Sequence, residues 1–168
     1  MSTSTKDKQG EIEAVESLLA QLRAAIEFGG TPAKWIKARE ILDRHDIAPG
    51  KGQLLVFTEF ADTARWLHGC FADAGFSVEM LEGAVDHKAR HELQQGFLAN
   101  HFQVLVSTDA GGEGINLQSA HVMLDWDIPW SLVRLEQRMG RLHRIGQKND
   151  VFIYHLVAPE TREGRVQG

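Results

Sequence analysis

From residue 53 onward, short apolar runs alternate with amphipathic stretches. Leu54-Leu55-Val56-Phe57 is continuous and apolar, which suits a strand buried on both faces. Residues 61–74 have helical spacing, Gly75 ends them, and 76–81 alternate apolar and polar like a strand. A helix is predicted over 86–99, buried strands at Val104-Leu105-Val106 and Val122-Met123-Leu124, a helix over 131–140 and a last strand over 151–157. This alternation predicts an α/β fold, a mostly parallel sheet with helices on both faces.

Upstream, Ile12, Val15, Leu18, Leu19, Leu22 and Ile26 recur at helical spacing and predict a helix over roughly 11–28. Gly29-Gly30-Thr31-Pro32 breaks it, and Thr31 can cap a second helix with Pro32 at its first position. That helix carries Trp35, Ile36, Ile41 and Leu42. The chain thus divides into a polar, disordered tail (1–10), an N-terminal helical segment (11–46), an α/β lobe (47–160) and a short tail (161–168).

Composition changes this picture little. The 168 residues are 43% apolar and 24% charged, ordinary for one soluble domain. No run approaches the roughly 18 apolar residues of a membrane span, so no membrane partner is expected. Residues 1–10 lack the apolar core of a secretory signal. The single Cys70 cannot form an internal disulfide, which fits a reducing compartment or says nothing; the expected localisation is cytoplasmic, on the nucleoid if the source is bacterial. A net charge of -5 argues mildly against nucleic acid, though a local basic face can exist on an acidic protein.

In parallel sheets chemistry gathers in the loops after the carboxyl ends of strands. Here those loops are 58–60, 82–83, 107–116 and 125–130, predicted to share one edge. Residues 136–147 read EQRMGRLHRIGQ. Gln137, Arg141 and Arg144 are spaced to share one helical face, with Leu135, Met139 and Leu142 opposite and expected to pack down. Guanidinium forks suit triphosphate oxygens. The plainer reading is a solvated basic face, and a helix end at Gly140 would put Arg144 on a loop. Residues 107–116 read STDAGGEGIN. Gly111, Gly112 and Gly114 permit close approach to a ligand, successive amides can hold a phosphate, and Thr108 adds a hydroxyl; alternatively this is a tight strand-to-helix turn. The spacing G-x-x-x-x-G-K-[ST] is absent. His87 and His91 lack a third ligand, so no metal site is predicted. Trp35 and Trp66 read as core; for Trp126 and Trp130 core and stacking roles both stay open.

Taken together, LLVFTEFADT (54–63), LEG (81–83) with Arg90 and Phe97, VLVSTDAGGEGINLQSA (104–120) and EQRMGRLHRIGQ resemble motifs IV to VI of a superfamily-two helicase. The resemblance spans about 53–166 and is to the second RecA-like lobe of the Swi/Snf-like branch, nearest the bacterial RNA-polymerase-recycling ATPase group. It implies a lobe of an ATP-dependent double-stranded DNA translocase. By resemblance, Arg141 and Arg144 act as arginine fingers, while Gln137, Gly114 and Asn116 meet the nucleotide. Thr58, Gly83, Thr108, Gly111 and Trp130 map to the nucleic-acid track. ATP is the implied cofactor, with Mg²⁺ held mainly by the first RecA-like lobe. The implied partners are that lobe, double-stranded DNA rather than RNA, and RNA polymerase or another DNA-bound protein. Trp130-Ser131-Leu132 replaces the family's Trp-Asn-Pro, and Ser131 can still cap the helix. The polar start and the TREGRV close (161–166) read as a piece of a longer protein. With no Walker A loop and no Walker B Asp-Glu pair, which the resemblance places on the first lobe, this piece is expected to be inactive alone. Two rivals remain: a non-catalytic DNA- or protein-binding module of the same fold, and a transferase whose ligand pocket is complete within this chain.

Overall fold

The computed structural model describes residues 31–143 and 145–157, with positions 10, 12, 15 and 16. Most of the helix expected over 11–28 lies outside the described residues, as do Arg144 and the tail after 157. The elements are α1 (Thr31–Arg44), β1 (Leu54–Thr58), α2 (Ala61–Asp73), β2 (Val78–Leu81), α3 (His87–Leu98), β3 (Val104–Thr108), β4 (Val122–Asp125), α4 (Leu132–Met139) and β5 (Phe152–His155).

The five strands form one parallel sheet in the order β2-β3-β1-β4-β5. Every residue of β1, β3 and β4 is buried, as their unbroken apolar runs require. The edge strands β2 and β5 are only partly covered, and both are shorter than expected. Strand alternation sends Leu54, Val56, Val104, Val106 and Leu124 to one face, where Ala38, Ile41 and Leu42 of α1 and Ala64, Leu67 and Phe71 of α2 pack. It sends Leu55, Phe57, Leu105 and Met123 to the other, against Phe97 of α3 and Ile115, Leu117 and Leu142. Helices cover both faces, and the architecture is RecA-like α/β. Helix α1 belongs to this packing, and Lys34 of α1 donates to the Trp126 carbonyl at 2.7 Å.

Local chemistry sets the helix ends. Gly75 takes φ +90°, which lets the amides of Gly75 and Phe76 reach back to the carbonyls of Ala72 and Phe71 and close α2. Asp86 caps α3 by accepting from the Ala89 amide at 2.8 Å. At α4 the expectation needs correction: Ser131 sits before the first turn, but its hydroxyl makes no capping bond.

Candidate functional site

The strand order brings the loops after β1, β2, β3 and β4 to one edge, as predicted. They and α4 surround a cavity of about 530 Å³ lined by Glu59, Glu82, Gly83, Asp109, Glu113 and Arg134 among others, with Gln137 at its α4 wall. The wall is acidic. Its carboxylates are mostly paired: Glu59 with Arg134 at 3.2 Å, Glu82 with Arg65 at 3.0 Å, and Asp109 with Arg138 at 2.5 Å. Burial, then the charges of Asp127 and Asp109, pushes the Glu59 carboxyl above its ordinary range.

Sequence periodicity missed the centre of this edge. Arg138 is only 2% exposed and is the one buried residue of α4. Its Nε and Nη2 donate to the two carboxylate oxygens of Asp109 at 2.5 and 3.0 Å. Its Nη1 donates to Asp125 at 3.2 Å and to the Asp127 carbonyl at 2.7 Å, and Nη2 reaches the Asp127 carboxylate at 3.3 Å. The guanidinium also lies 5.7 Å from the centre of the Phe57 ring. Burial disfavours its charge, but the hydrogen bond to Asp109 and the charges of Asp125, Asp109 and Asp127 outweigh that and hold it protonated. Asp127 in turn accepts from the Thr58 hydroxyl and from the Glu59 amide at 2.9 Å. On the far side, His155 Nδ1 stands 2.7 Å from Asp125 Oδ2, an oxygen that accepts no well-aligned hydrogen bond among the described residues. That pairing raises the His155 pKa, against the opposing effect of burial. The cluster spans the carboxyl ends of β3, β1 and β4, three neighbours in the sheet. Removing one partner of such a buried set costs about 3–5 kcal/mol, because the others stay buried and uncompensated.

The expectation that Leu135, Met139 and Leu142 pack down therefore fails in part. Leu142 is fully buried and Leu135 half-buried, but Met139 is exposed, while the arginine is inside. Charge complementarity with three aspartates outranks the apolar stripe. The helix stops at Met139, so Gln137 and Arg141 do not share one helical face. Gln137 is exposed on α4; Arg141 is half-buried in the following turn, beside Gly112 and Gln137. The Arg141 carbonyl accepts from the Leu117 amide at 3.1 Å.

The glycine turn is also corrected. The amides of Gly111 and Gly112 donate to Thr108 Oγ1 (3.2 Å) and to the Thr108 carbonyl (2.9 Å), so neither awaits a phosphate. A side chain at Gly111 would stand 2.2 Å from the Leu81 carbonyl oxygen, and one at Gly112 2.7 Å from the Phe57 ring. These glycines let the turn seat on β2 and β1. Thr58, Thr108 and Gly111 are buried, so the structure places them beneath the surface the track was expected to use. Gly83 and Trp130 are on it, Trp130 being 77% exposed, and Gly114, expected beside the nucleotide, is exposed as well. Trp126 is core, packed on Trp66 at 5.7 Å. Asn116 is half-buried, and its Oδ1 accepts from the Gln118 amide at 3.1 Å. The three aspartates could have been noticed in sequence: carboxylates following two buried strands demand a counter-ion.

The fold is a RecA-like α/β lobe whose glycine turn and arginine-bearing helix meet at the carboxyl edge of a parallel sheet. The chain belongs to the helicase conserved C-terminal domain family, whose model matches residues 36–146. Within it, the similarity is to the superfamily-two, Swi/Snf-like ATPases. An uncharacterized ATP-dependent helicase YqhH of Bacillus subtilis is 37% identical over 114 residues, 68% of this chain and 20% of that protein. The SWI/SNF-related matrix-associated actin-dependent regulator of chromatin subfamily A member 1 of mouse is 32% identical over 140 residues, 82% of this chain and 13% of that protein. In fold, the C-terminal part of the Fun30 ATPase domain superposes with a TM-score of 0.70 at 22% identity, covering 80% of this chain and 44% of that one. The chain thus spans a fifth or less of the length of these two curated relatives.

Proposed function

We propose that this lobe is one half of an ATP-dependent translocase on double-stranded DNA. The observation that carries the reading is the grouping of Gln137, Arg141 and the glycine turn at the carboxyl edge. Arg141 and Arg144 act on the γ-phosphate of an ATP held mainly by a first lobe, with Gln137, Gly114 and Asn116 beside it. Guanidinium groups placed there stabilise charge that develops in the transition state. Mg²⁺ is assigned mainly to that first lobe. DNA contact is assigned to Gly83 and Trp130 on the surface of the edge. The acidic wall of the cavity argues against phosphates entering it, since phosphate contact needs cationic or amide donors. Closing the cleft over ATP moves these loops against those of the first lobe and shifts the grip along the duplex. RNA polymerase or another DNA-bound protein is a candidate obstacle or cargo.

In the full-length protein, Arg141→Ala and Arg144→Ala are each expected to lower DNA-stimulated ATP turnover about a thousandfold, while duplex binding by fluorescence anisotropy is kept. Turnover of wild-type size in both variants would favour a non-catalytic module of the same fold.

A further inference from the structure

Helix α4 is attached to the sheet in an unusual way. Its exposed residues include the large apolar Leu132, Val133 and Met139, and its one buried side chain is an arginine. Besides Arg138, the ion pair of Arg134 with Glu59 ties it to the β1 loop. Its placement therefore rests largely on polar contacts with loops, and only in small part on apolar packing.

We propose that Arg138 is a positioning residue that links the nucleotide-facing end of α4 and the glycine turn to the loops after β1 and β4, the latter carrying Trp130; this deepens the function proposed above and rests on it. One guanidinium holds the glycine turn through Asp109 and the end of β4 through Asp125 and Asp127. Through Asp127 it also holds the 58–59 loop, by the Thr58 hydroxyl and the Glu59 amide. Gln137 is its immediate neighbour in the chain, and the Arg141 amide donates to the Arg138 carbonyl at 3.1 Å. A displacement of the 58–59 loop or of the glycine turn is carried by the aspartates to Arg138, and so to Gln137 and Arg141. Ion-paired and packed networks of this kind are the physical carriers of coupling between sites. The link needs the planar fork. Arg138 serves acceptors in three directions at once, whereas a lysine keeps the charge as a point and loses the geometry.

Arg138→Lys and Asp127→Asn, singly and together, are to be compared with wild type in the full-length protein, with ATP and a DNA duplex. Each single variant is expected to lower duplex-stimulated kcat at least about tenfold while KM for ATP and duplex Kd stay within about twofold. The double variant falls little further, because both changes break one link. A kcat of wild-type size in Arg138→Lys overturns the proposal. So does a loss of kcat that comes with an equal loss of duplex affinity and a collapsed melting transition, which marks a merely structural role. A wild-type protein without duplex-stimulated turnover would sink the proposed function instead. Hydrogen exchange in the same protein then decides the link by itself. Arg138→Lys must speed exchange at the Glu59 amide and leave the β1 and β3 amides unchanged, and unchanged exchange at Glu59 overturns it.

Discussion

His155 and His45 lie along the β5 edge of the sheet, and their surroundings displace their pKa values in opposite directions. His155 sits 2.7 Å from Asp125, and that close pairing raises its pKa above the ordinary 6.5. A raised folded-state pKa contributes stability that is fully present below pH 6.5 and is lost as pH rises through the folded value. His45 faces the Tyr154 hydroxyl at 2.6 Å and the Phe152 ring, and its pKa is lowered, first by burial and then by the charges of His121 and Arg44. Its contribution is present above pH 6.5 and lost as pH falls through the folded value. His155→Gln is therefore expected to remove the part of the stability that falls with rising pH. Urea midpoints measured across the neutral range should drop for wild type relative to the variant above pH 6.5. Parallel curves for the two proteins would mean the Asp125 pairing carries no charge.

At the scale of elements, the turn after β3 is fixed by close packing. Gly111→Ala places a methyl carbon 2.2 Å from the Leu81 carbonyl oxygen, a backbone atom that can move only with β2. The expected loss is about 1–3 kcal/mol, read from the urea midpoint, and a midpoint equal to wild type would show that the turn yields. Helix α4 teaches the opposite lesson. Its residues read as a strip with an apolar side, yet the side that faces in is the one carrying Arg138. A 3.6-residue period ranks positions by hydrophobicity and cannot see that Asp109, Asp125 and Asp127 wait beneath. The strands were far more legible. Leu54-Leu55-Val56-Phe57 and Val104-Leu105-Val106 have no polar side to show to water, so they had to lie inside a covered sheet.

For the whole molecule, the function proposed above makes this site half of a site. The sequence contains no G-x-x-x-x-G-K-[ST] loop, and the chain matches a fifth or less of the two relatives described above. The pure 168-residue chain is expected to release no phosphate from ATP above background, with or without a DNA duplex. Robust turnover by this chain alone would refute the split site and favour a pocket complete within it.

The sequence by itself determined the strands and their burial, the helix-breaking role of Gly75, and the motif order that marks the family. These depend on periods and residue types within a few positions of one another. Which residues of the candidate edge face water was decided only by the tertiary structure. Thr58 and Gly111 went under the surface, Gln137 stayed on it, and Arg138 went to the centre. The reason is electrostatic and topological: the order β3-β1-β4 gathers three carboxylates at neighbouring strand ends, and a buried negative cluster must take in a cation from whichever element passes over it.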